Sequence, residues 1–534
     1  MKLTDLTGNL QYTLLQGTIE KEVTSLIYFS EKAGPGAAFF AIPGRKENGI
    51  LHAGEAVRRG AEVLIVQEPL PESVSDAISD AVSDAISDEV ADAVSQNLPG
   101  RASGQGRTVT ILLVENVRRA LALMSIRFYQ DPCSRLYMIG ITGTKGKTST
   151  AYMLRAALEE GGIRTGLIGT VENGWEGHFQ EAEQTTPQSS DVQRWCRDME
   201  QAGCRAVVME VSSQGLMQSR VEGIRFDLGI FTNLTPDHIG EGEHEDFADY
   251  VYWKSRLFRQ CRTAVIHEDT PLWRQLLTVR RAETGMPEQV LSFGQNEKAD
   301  CRCRYLQTDR KKEPPGTFFL LEEGASETEW EIRLSMPGLF NGANAAGAAA
   351  AARAAGICWP DICRALRQVR VPGRVEPVDT GGRTRVLVDY AHNGTALRQL
   401  LTDLRACGPS RLIVVFGCGG CRDRSRRREM GRAAAELADL SIVTSDNPRT
   451  EDPQSILREI TASMEETERE GMCRGSWQVI CDRASAIREA VRQGGPEDLI
   501  LIAGKGHETW QYVGKNRIRF DDREIVRSIW PDPT

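Results

Sequence analysis

The sequence predicts an α/β protein of three domains, with a P-loop-type parallel sheet in the central domain and a Rossmann-like sheet in the C-terminal one. Three observations predict it. The chain has 534 residues, more than one hydrophobic core usually supports. Short apolar runs that end in Gly, Asp or Thr alternate with stretches of good helix formers along its length. A glycine-rich turn carrying Gly146-Lys147-Thr148 follows one such run and opens a helix.

Taken in order, residues 1–115 form the first α/β domain. Ala37 to Ile42 reads as a strand stopped by Pro43-Gly44, Ala53 to Arg59 as a helix, and Ala61 to Val66 as a second strand. Between about 71 and 106 lies a four-residue repeat, Ser75 to Asp88, with an apolar residue at Val74, Ile78, Val82, Ile86, Val90 and Val94. That spacing keeps a slowly drifting helix face, so the segment is expected to be a low-complexity insertion, either a solvated helix or disordered.

The central domain spans 116–370. Leu136 to Thr142 is an apolar strand, Gly143 to Thr148 the turn, and Ala151 to Glu160 a helix. In this turn glycines let backbone N–H groups close round phosphate oxygens, Lys147 neutralises charge between phosphates and the Thr148 hydroxyl can hold Mg²⁺. The loop is a variant: against the usual G-x-x-x-x-G-K-[ST], Gly143 leaves two residues before Gly146 and Gly140 leaves five. Further strands, Arg205 to Val211, Phe226 to Asn233 and Ala264 to Ile266, imply a parallel sheet with functional residues at its C-terminal edge, where Glu210 and Asn233 lie. The alanine-rich stretch Ala343 to Ala355 is a helix, and Pro372-Gly373-Arg374 marks the exit. In the C-terminal domain, 371–534, strands at Arg385 to Tyr390, Leu412 to Gly417, Leu440 to Thr444 and Leu499 to Gly504 form another doubly wound sheet.

Composition excludes several classes. A net charge of -9 and a pI near 5.6 speak against a nucleic-acid surface. No apolar run reaches membrane-spanning length, and Met1-Lys2-Leu3-Thr4-Asp5 opens no signal peptide, so a cytoplasmic protein with its 13 cysteines reduced is expected. Cys418 and Cys421 have the spacing of a metal knuckle without a second pair to complete one.

Glu210 and His238 follow two different strands beside the phosphate loop, where a carboxylate and an imidazole can hold divalent metal next to ATP. The words Gly143-Thr144-Lys145-Gly146-Lys147-Thr148, Glu210-Val211-Ser212-Ser213, Thr232-Asn233-Leu234-x-x-Asp237-His238 and Asp389-Tyr390-Ala391-His392, in this order, resemble the Mur ligases, ATP-dependent enzymes that form amide bonds in peptidoglycan precursor assembly. The resemblance covers nearly the whole chain and implies the three-domain Mur ligase architecture. Within it, Gln184-Thr185-Thr186-Pro187, Ser212 with Gln218 and Arg220, Gly417-Cys418-Gly419-Gly420-x-Arg422-Asp423, Asp446-Asn447-Pro448-Arg449 and Gly504-Lys505-Gly506-His507-Glu508 match members that add the third residue to UDP-N-acetylmuramoyl-L-alanyl-D-glutamate.

The resemblance implies roles residue by residue. Gly143, Thr144, Lys145, Gly146, Lys147 and Thr148 would bind ATP, with Asn341, Asn344, Arg374 and Asp389 around the adenosine and the linker. Thr148, Glu210, His238 and Lys254, the last carried as a carbamate (N6-carboxylysine), would hold Mg²⁺; Lys147, Lys254, Glu210 and His238 are the expected catalytic group. Ser30, Thr185, Thr186, Ser212, Gln218 and Arg220 would hold UDP-muramoyl-dipeptide. Arg427, Asp446, Asn447, Pro448, Arg449, Gly504 and Glu508 would hold the incoming amino acid, the Arg449 fork favouring the extra carboxylate of meso-diaminopimelate. The expected reaction joins that amino acid to D-glutamate through an acyl phosphate, in a monomer. The L-lysine-adding ligase of the family and a non-catalytic protein that binds nucleotide and UDP-sugar peptide stay open as alternatives. Four words depart from the family: Gln214 stands where His is usual, Cys421 where Asp is usual, 239–244 differ from Leu-Asp-x-His-Gly, and Phe29-Ser30-Glu31 replaces Asp-Ser-Arg, so that only Ser30 carries over there.

Overall fold

The computed structural model describes residues 1–44, 47–95, 108–237, 239–240, 243–273, 287–309, 316–324 and 328–529. Among them the chain builds three large sheets and one small hairpin. The first sheet has five strands in the order Tyr12–Gln16, Thr110–Val114, Ala61–Val66, Ala37–Phe40, Ser25–Ile27, parallel except for the first. Its inner strands are apolar on both sides because helices cover both faces.

Two expectations change here. The repeat is one helix, Glu72–Ser95, and it is not solvated all round. Val74, Ile78 and Ala81 are buried with Ala53, Ala56 and Val57 in the core of the first unit. Gly54 lets the two helices meet: a Cβ there would lie 2.9 Å from the Ala77 Cβ. The apolar spacing was legible, but not the neighbour that receives it. The first unit also extends past the expected limit at 115, since Val117, Ala120, Leu121 and Met124 of helix Val117–Phe128 pack with Leu3, Leu6 and Val23.

The central sheet has eleven strands. Its middle is parallel, running from Cys301–Asp309 through Gln289–Gly294, Cys261–His267, Phe226–Phe231, Tyr137–Thr142 and Ala206–Glu210 to Thr165–Ile168, and antiparallel strands extend both edges. The phosphate-loop strand Tyr137–Thr142 lies between Ala206–Glu210 and Phe226–Phe231. There the chain crosses to the sheet's far side, so the strand ends flanking that crossing open a crevice, the usual ligand position in such sheets. Helix Lys147–Glu160 packs on helix Leu339–Ala354 through small residues, Ala151 and Ala157 among them on one side and Ala345, Ala348 and Ala352 on the other.

Val371 belongs to the central core and Val375 to the last, so the third unit starts between them. Its six strands run Glu376–Val378, Arg385–Asp389, Leu499–Ala503, Leu412–Phe416, Leu440–Val443, Ser476–Val479, all parallel but the first. The last parallel strand in sequence sits between the first two. A buried ion pair, Arg483 with Asp522 at 2.8 and 2.7 Å, ties the final helix Asp522–Ile529 to this sheet.

Candidate active site

Gly143 and Gly146 are glycine for steric reasons. Their φ values are 145° and 82°, and a Cβ would meet Thr232 Oγ1 at 2.0 Å and Asn344 Oδ1 at 2.2 Å respectively. The loop between them is braced from the next strand end. Asn233 accepts from the Lys145 N–H and donates to the Lys145 carbonyl (2.9 Å each), Thr232 Oγ1 donates to the same carbonyl (2.6 Å), and Thr144 N–H donates to Asn233 O (2.9 Å). Asn341 and Asn344, both buried, stand at the start of helix Leu339–Ala354 against this loop.

Behind the loop, the buried Glu210 accepts, among the described residues, from neutral donors: Thr148 Oγ1 (3.0 Å), Thr170 N–H (2.9 Å) and Thr170 Oγ1 (2.9 Å). Two lysines converge in front of it. Lys147 Nζ and Lys254 Nζ each donate to the Gly143 carbonyl at 2.8 Å. Lys254 is 2% exposed on helix Phe247–Ser255 and lies over the Tyr250 ring. Burial, with the Lys147 charge second, holds its amine well below the usual lysine range. Burial also lowers Lys147, against the pull of Glu210 and Asp237. His238 lies outside the described residues.

Thr185, Thr186, Ser212, Gln218 and Arg220 lie on the same edge. Thr170 Oγ1 is 3.1 Å from Thr185 Oγ1; Thr186 Oγ1 is 2.9 Å from Glu210 O and 3.1 Å from Ser212 Oγ; Arg220 donates to Thr186 O (2.6 Å) and Gln218 Oε1 (2.7 Å). Ser30 lies in the N-terminal unit, its buried hydroxyl donating to Glu55 (2.9 Å).

The linker brings the third unit over this edge. Arg374 reaches Thr148 Oγ1 at 3.5 Å and lies over the Tyr390 ring at 4.6 Å. Asp389 accepts from the N–H of Val375 (2.8 Å) and Ala391 (2.7 Å), and burial pushes its carboxyl up while Arg374 opposes. Val375, β-branched, is held at φ 46°, a costly left-handed conformation that these contacts maintain.

Asp446 to Arg449 form a loop closed by Asp452, which caps helix Pro453–Arg469 through the N–H groups of Gln454 and Ser455. Asn447 donates to Glu508 Oε2 (2.9 Å), which also pairs with the buried Lys505 ammonium (3.0 Å). Arg449, at φ 53°, is pinned by its N–H to Tyr512 O (3.0 Å) and its guanidinium to Gly420 O (2.8 Å). Pro448 O presses on Gly420, where a Cβ would come within 2.0 Å. Among the described residues the buried Asp446 Oδ2 has no hydrogen-bond partner, and a Cβ on Gly504 would come within 2.5 Å of it.

Residues 141–352 match the Mur ligase middle domain, and residues 373–506 match the Mur ligase glutamate ligase domain. Curated relatives are similar end to end. The UDP-N-acetylmuramoyl-L-alanyl-D-glutamate–2,6-diaminopimelate ligase of Caldanaerobacter subterraneus subsp. tengcongensis is 36% identical over 530 residues, covering 99% of each chain. The chain belongs to the Mur ligase family. The enzyme of the same name from Alkalilimnicola ehrlichii is 37% identical over 95% of this chain and 94% of its own. A solved structure of a UDP-N-acetylmuramoyl-L-alanyl-D-glutamate–2,6-diaminopimelate ligase superposes with a TM-score of 0.65 at 26% identity, covering 99% of this Mur ligase and 98% of the other chain. A Mycobacterium tuberculosis folylpolyglutamate synthase complexed with ADP shares the fold alone, with a TM-score of 0.57 at 18% identity over 72% of this chain and 91% of its own. As a family member the chain is an ATP-dependent, ADP-forming carbon–nitrogen ligase.

The structure of this Mur ligase also places Arg427 and brings in residues that the sequence did not single out. Arg427 is 1% exposed and donates to Glu451 (2.7 Å) and Glu459 (2.9 Å), bracing the loop from beneath. Arg422, in the same segment, is exposed. Sequence reasoning passed over Thr170, which donates twice to Glu210 from a polar turn that nothing local distinguishes, and gave no role to Lys505, which orders Glu508 although it stands inside a quoted word. His244 is buried between Ser213 Oγ (2.9 Å) and Asp249 (2.8 Å), a partner set that the altered 239–244 word did not suggest.

Proposed function

We propose that this Mur ligase joins meso-diaminopimelate to the side-chain carboxyl of D-glutamate in UDP-N-acetylmuramoyl-L-alanyl-D-glutamate, as a cytoplasmic monomer in peptidoglycan precursor synthesis. The observation that carries the reading is the convergence, at one sheet edge, of the phosphate loop, a buried carboxylate with hydroxyl donors, and a buried lysine that shares the Gly143 carbonyl with Lys147. Relatives that share a third of its residues bear that ligase name. Among the described residues no helix is long and apolar enough to cross a membrane.

Gly143, Thr144, Lys145, Gly146, Lys147 and Thr148 cradle the phosphates of ATP, with Asn341, Asn344, Arg374 and Asp389 behind them. Glu210 Oε2 and Thr148 Oγ1, 3.0 Å apart, are the hard oxygen donors that Mg²⁺ requires, and His238 is proposed as a further ligand. Bound there, Mg²⁺ supplies charge neutralisation on the phosphates. Burial and the Lys147 charge disfavour the Lys254 ammonium, and in its neutral form the amine can add its nitrogen lone pair to CO₂, releasing one proton and leaving a carbamate. This exchanges a like charge beside Lys147 for an opposite one.

Ser30, Thr185, Thr186, Ser212, Gln218 and Arg220 hold the UDP-muramoyl-dipeptide so that its carboxylate faces the γ-phosphorus. A carboxylate oxygen attacks, the bond to ADP breaks, and an acyl phosphate forms; Lys147 stabilises the charge that develops. Asp446, Asn447, Pro448, Arg449, Gly504 and Glu508 position the amino acid, with Arg427 bracing their loop. The unpartnered Asp446 Oδ2 suits an ammonium, and Arg449 a carboxylate. The free amine attacks the acyl carbon, loses a proton, and phosphate leaves as the amide forms.

The test is phosphate release with Mg²⁺, ATP and UDP-muramoyl-dipeptide, comparing meso-diaminopimelate, L-lysine and no amino acid. Release should require the dipeptide and diaminopimelate, and Arg449→Ala should remove the discrimination. Equal release with lysine would refute the amino-acid assignment, and release without the dipeptide would refute the ligase reading.

A further inference from the structure

Two arginines meet at the seam between the N-terminal unit and the central sheet. Arg118, second residue of helix Val117–Phe128, donates from Nη2 to the Pro43 carbonyl (2.7 Å) and from Nη1 to Gln218 Oε1 (3.4 Å). Arg220 donates to the same Gln218 oxygen (2.7 Å), to Thr186 O (2.6 Å) and to Gln184 Oε1 (2.5 Å), while its buried Nε has no partner among the described residues. Neither guanidinium has a carboxylate within ion-pair distance among the described residues. The contrast with their neighbours is direct. Arg119, one residue on, pairs with Glu222 (3.4 Å), and the nearby Asp191 is taken by the Tyr28 hydroxyl and Arg194.

A guanidinium does not shed its proton in a protein, so the pair stays doubly positive while both side chains are half-buried. Burial lowers both groups, and the Arg118 charge is the second cause of the fall of Arg220 to about 10. Uncompensated like charges sharing one neutral acceptor destabilise the seam unless an anion joins them. The anion would sit beside Thr186 and Ser212, on the edge that faces Glu210.

We propose that Arg118 and Arg220 form a two-armed clamp on one anionic group of the UDP-muramoyl-dipeptide, with Arg118 the arm contributed by the N-terminal unit. The group is the diphosphate or the D-glutamate α-carboxylate, both of which accept paired guanidinium bonds. The proposal rests on the substrate assignment above. It makes the seam between the two units part of the binding site, so that substrate binding locks one unit onto the other.

Calorimetric titration of the full chain tests it with three ligands: UDP-muramoyl-dipeptide, UDP-N-acetylmuramate, and muramoyl-dipeptide without UDP. Arg118→Ala should weaken binding about 10- to 100-fold, the size of a lost charge-assisted contact. Arg118→Lys should recover part of it. A loss seen with both UDP ligands places the diphosphate in the clamp, and one seen with both dipeptide ligands places the carboxylate; either supports the proposal. Gln218→Glu is the decisive companion, because it inserts the missing negative charge: melting temperature should rise while affinity falls. Unchanged affinities in Arg118→Ala, or a stabilised Gln218→Glu that binds as wild type does, would overturn the clamp and leave a structural seam. Wild-type protein that binds none of the three ligands would overturn the substrate assignment itself, and the clamp with it.

Discussion

Replacing Lys254 with methionine separates what this residue costs from what it does. Lys254 and Lys147 both sit 2.8 Å from the Gly143 carbonyl oxygen, so their nitrogens are no more than about 5.6 Å apart. At an effective dielectric of ~20, two positive charges at that separation repel by ~3 kcal/mol, about two pH units on the weaker partner. A thioether of similar length fills the same space without charge, and the Gly143 carbonyl keeps its bond from Lys147. In buffer depleted of CO₂, Lys254→Met should therefore melt at or above the wild-type temperature. Phosphate release should fall ~10²- to 10³-fold, the usual loss when one charged group aimed at the reacting phosphate is removed. Lys254→Ala, which leaves room for a small anion, should regain turnover with millimolar formate or acetate. Wild-type turnover in Lys254→Met, or a melting temperature several degrees lower, would refute the reasoning.

Three more outcomes follow from particular contacts. Gly146→Ala should raise the KM for ATP by about tenfold or more, since φ 82° strains alanine by ~1 to 2 kcal/mol and its Cβ would displace Asn344; steady-state kinetics checks it. Ile78→Asp should destabilise the N-terminal unit by about 3 kcal/mol or more, because that position is buried; urea unfolding that left this unit unchanged would mean the repeat is solvated after all. His507 is held down to about 3, first by burial and then by Arg374, Arg523 and Lys505, so the unfolded chain takes up its proton near pH ~6.5 and the folded chain does not. Stability should thus fall as pH drops from ~6.5 towards 3, and His507→Gln should flatten that part of the melting profile.

Strands and their functional ends were legible because a parallel sheet with both faces covered demands continuous apolar runs, and ligands collect where those runs stop. The expected runs Leu136 to Thr142, Arg205 to Val211 and Phe226 to Asn233 contain the strands Tyr137–Thr142, Ala206–Glu210 and Phe226–Phe231, and Glu210 stands at an end. Sheet order was not legible: nothing in Leu499 to Ala503 says that it slips between the first two parallel strands of its unit. Surface against core was misread in the repeat, whose Ser and Asp content outweighed an apolar spacing that Gly54 and Ala56 complete. In the arginine-rich segment 422–428, composition alone cannot say which guanidinium faces the cleft. The fold places Glu451 and Glu459 under Arg427 and leaves Arg422 exposed.

The central claim is that D-glutamate is activated as an acyl phosphate and then captured by diaminopimelate. It is tested most directly with UDP-muramoyl-dipeptide carrying ¹⁸O in both oxygens of that side-chain carboxyl. After turnover with ATP and meso-diaminopimelate, mass spectrometry of the released phosphate should find one ¹⁸O per molecule, beside an amide product that keeps the other ¹⁸O and is heavier than the labelled dipeptide by diaminopimelate less H₂¹⁸O. Unlabelled phosphate, or phosphate released with no amide product, would contradict it.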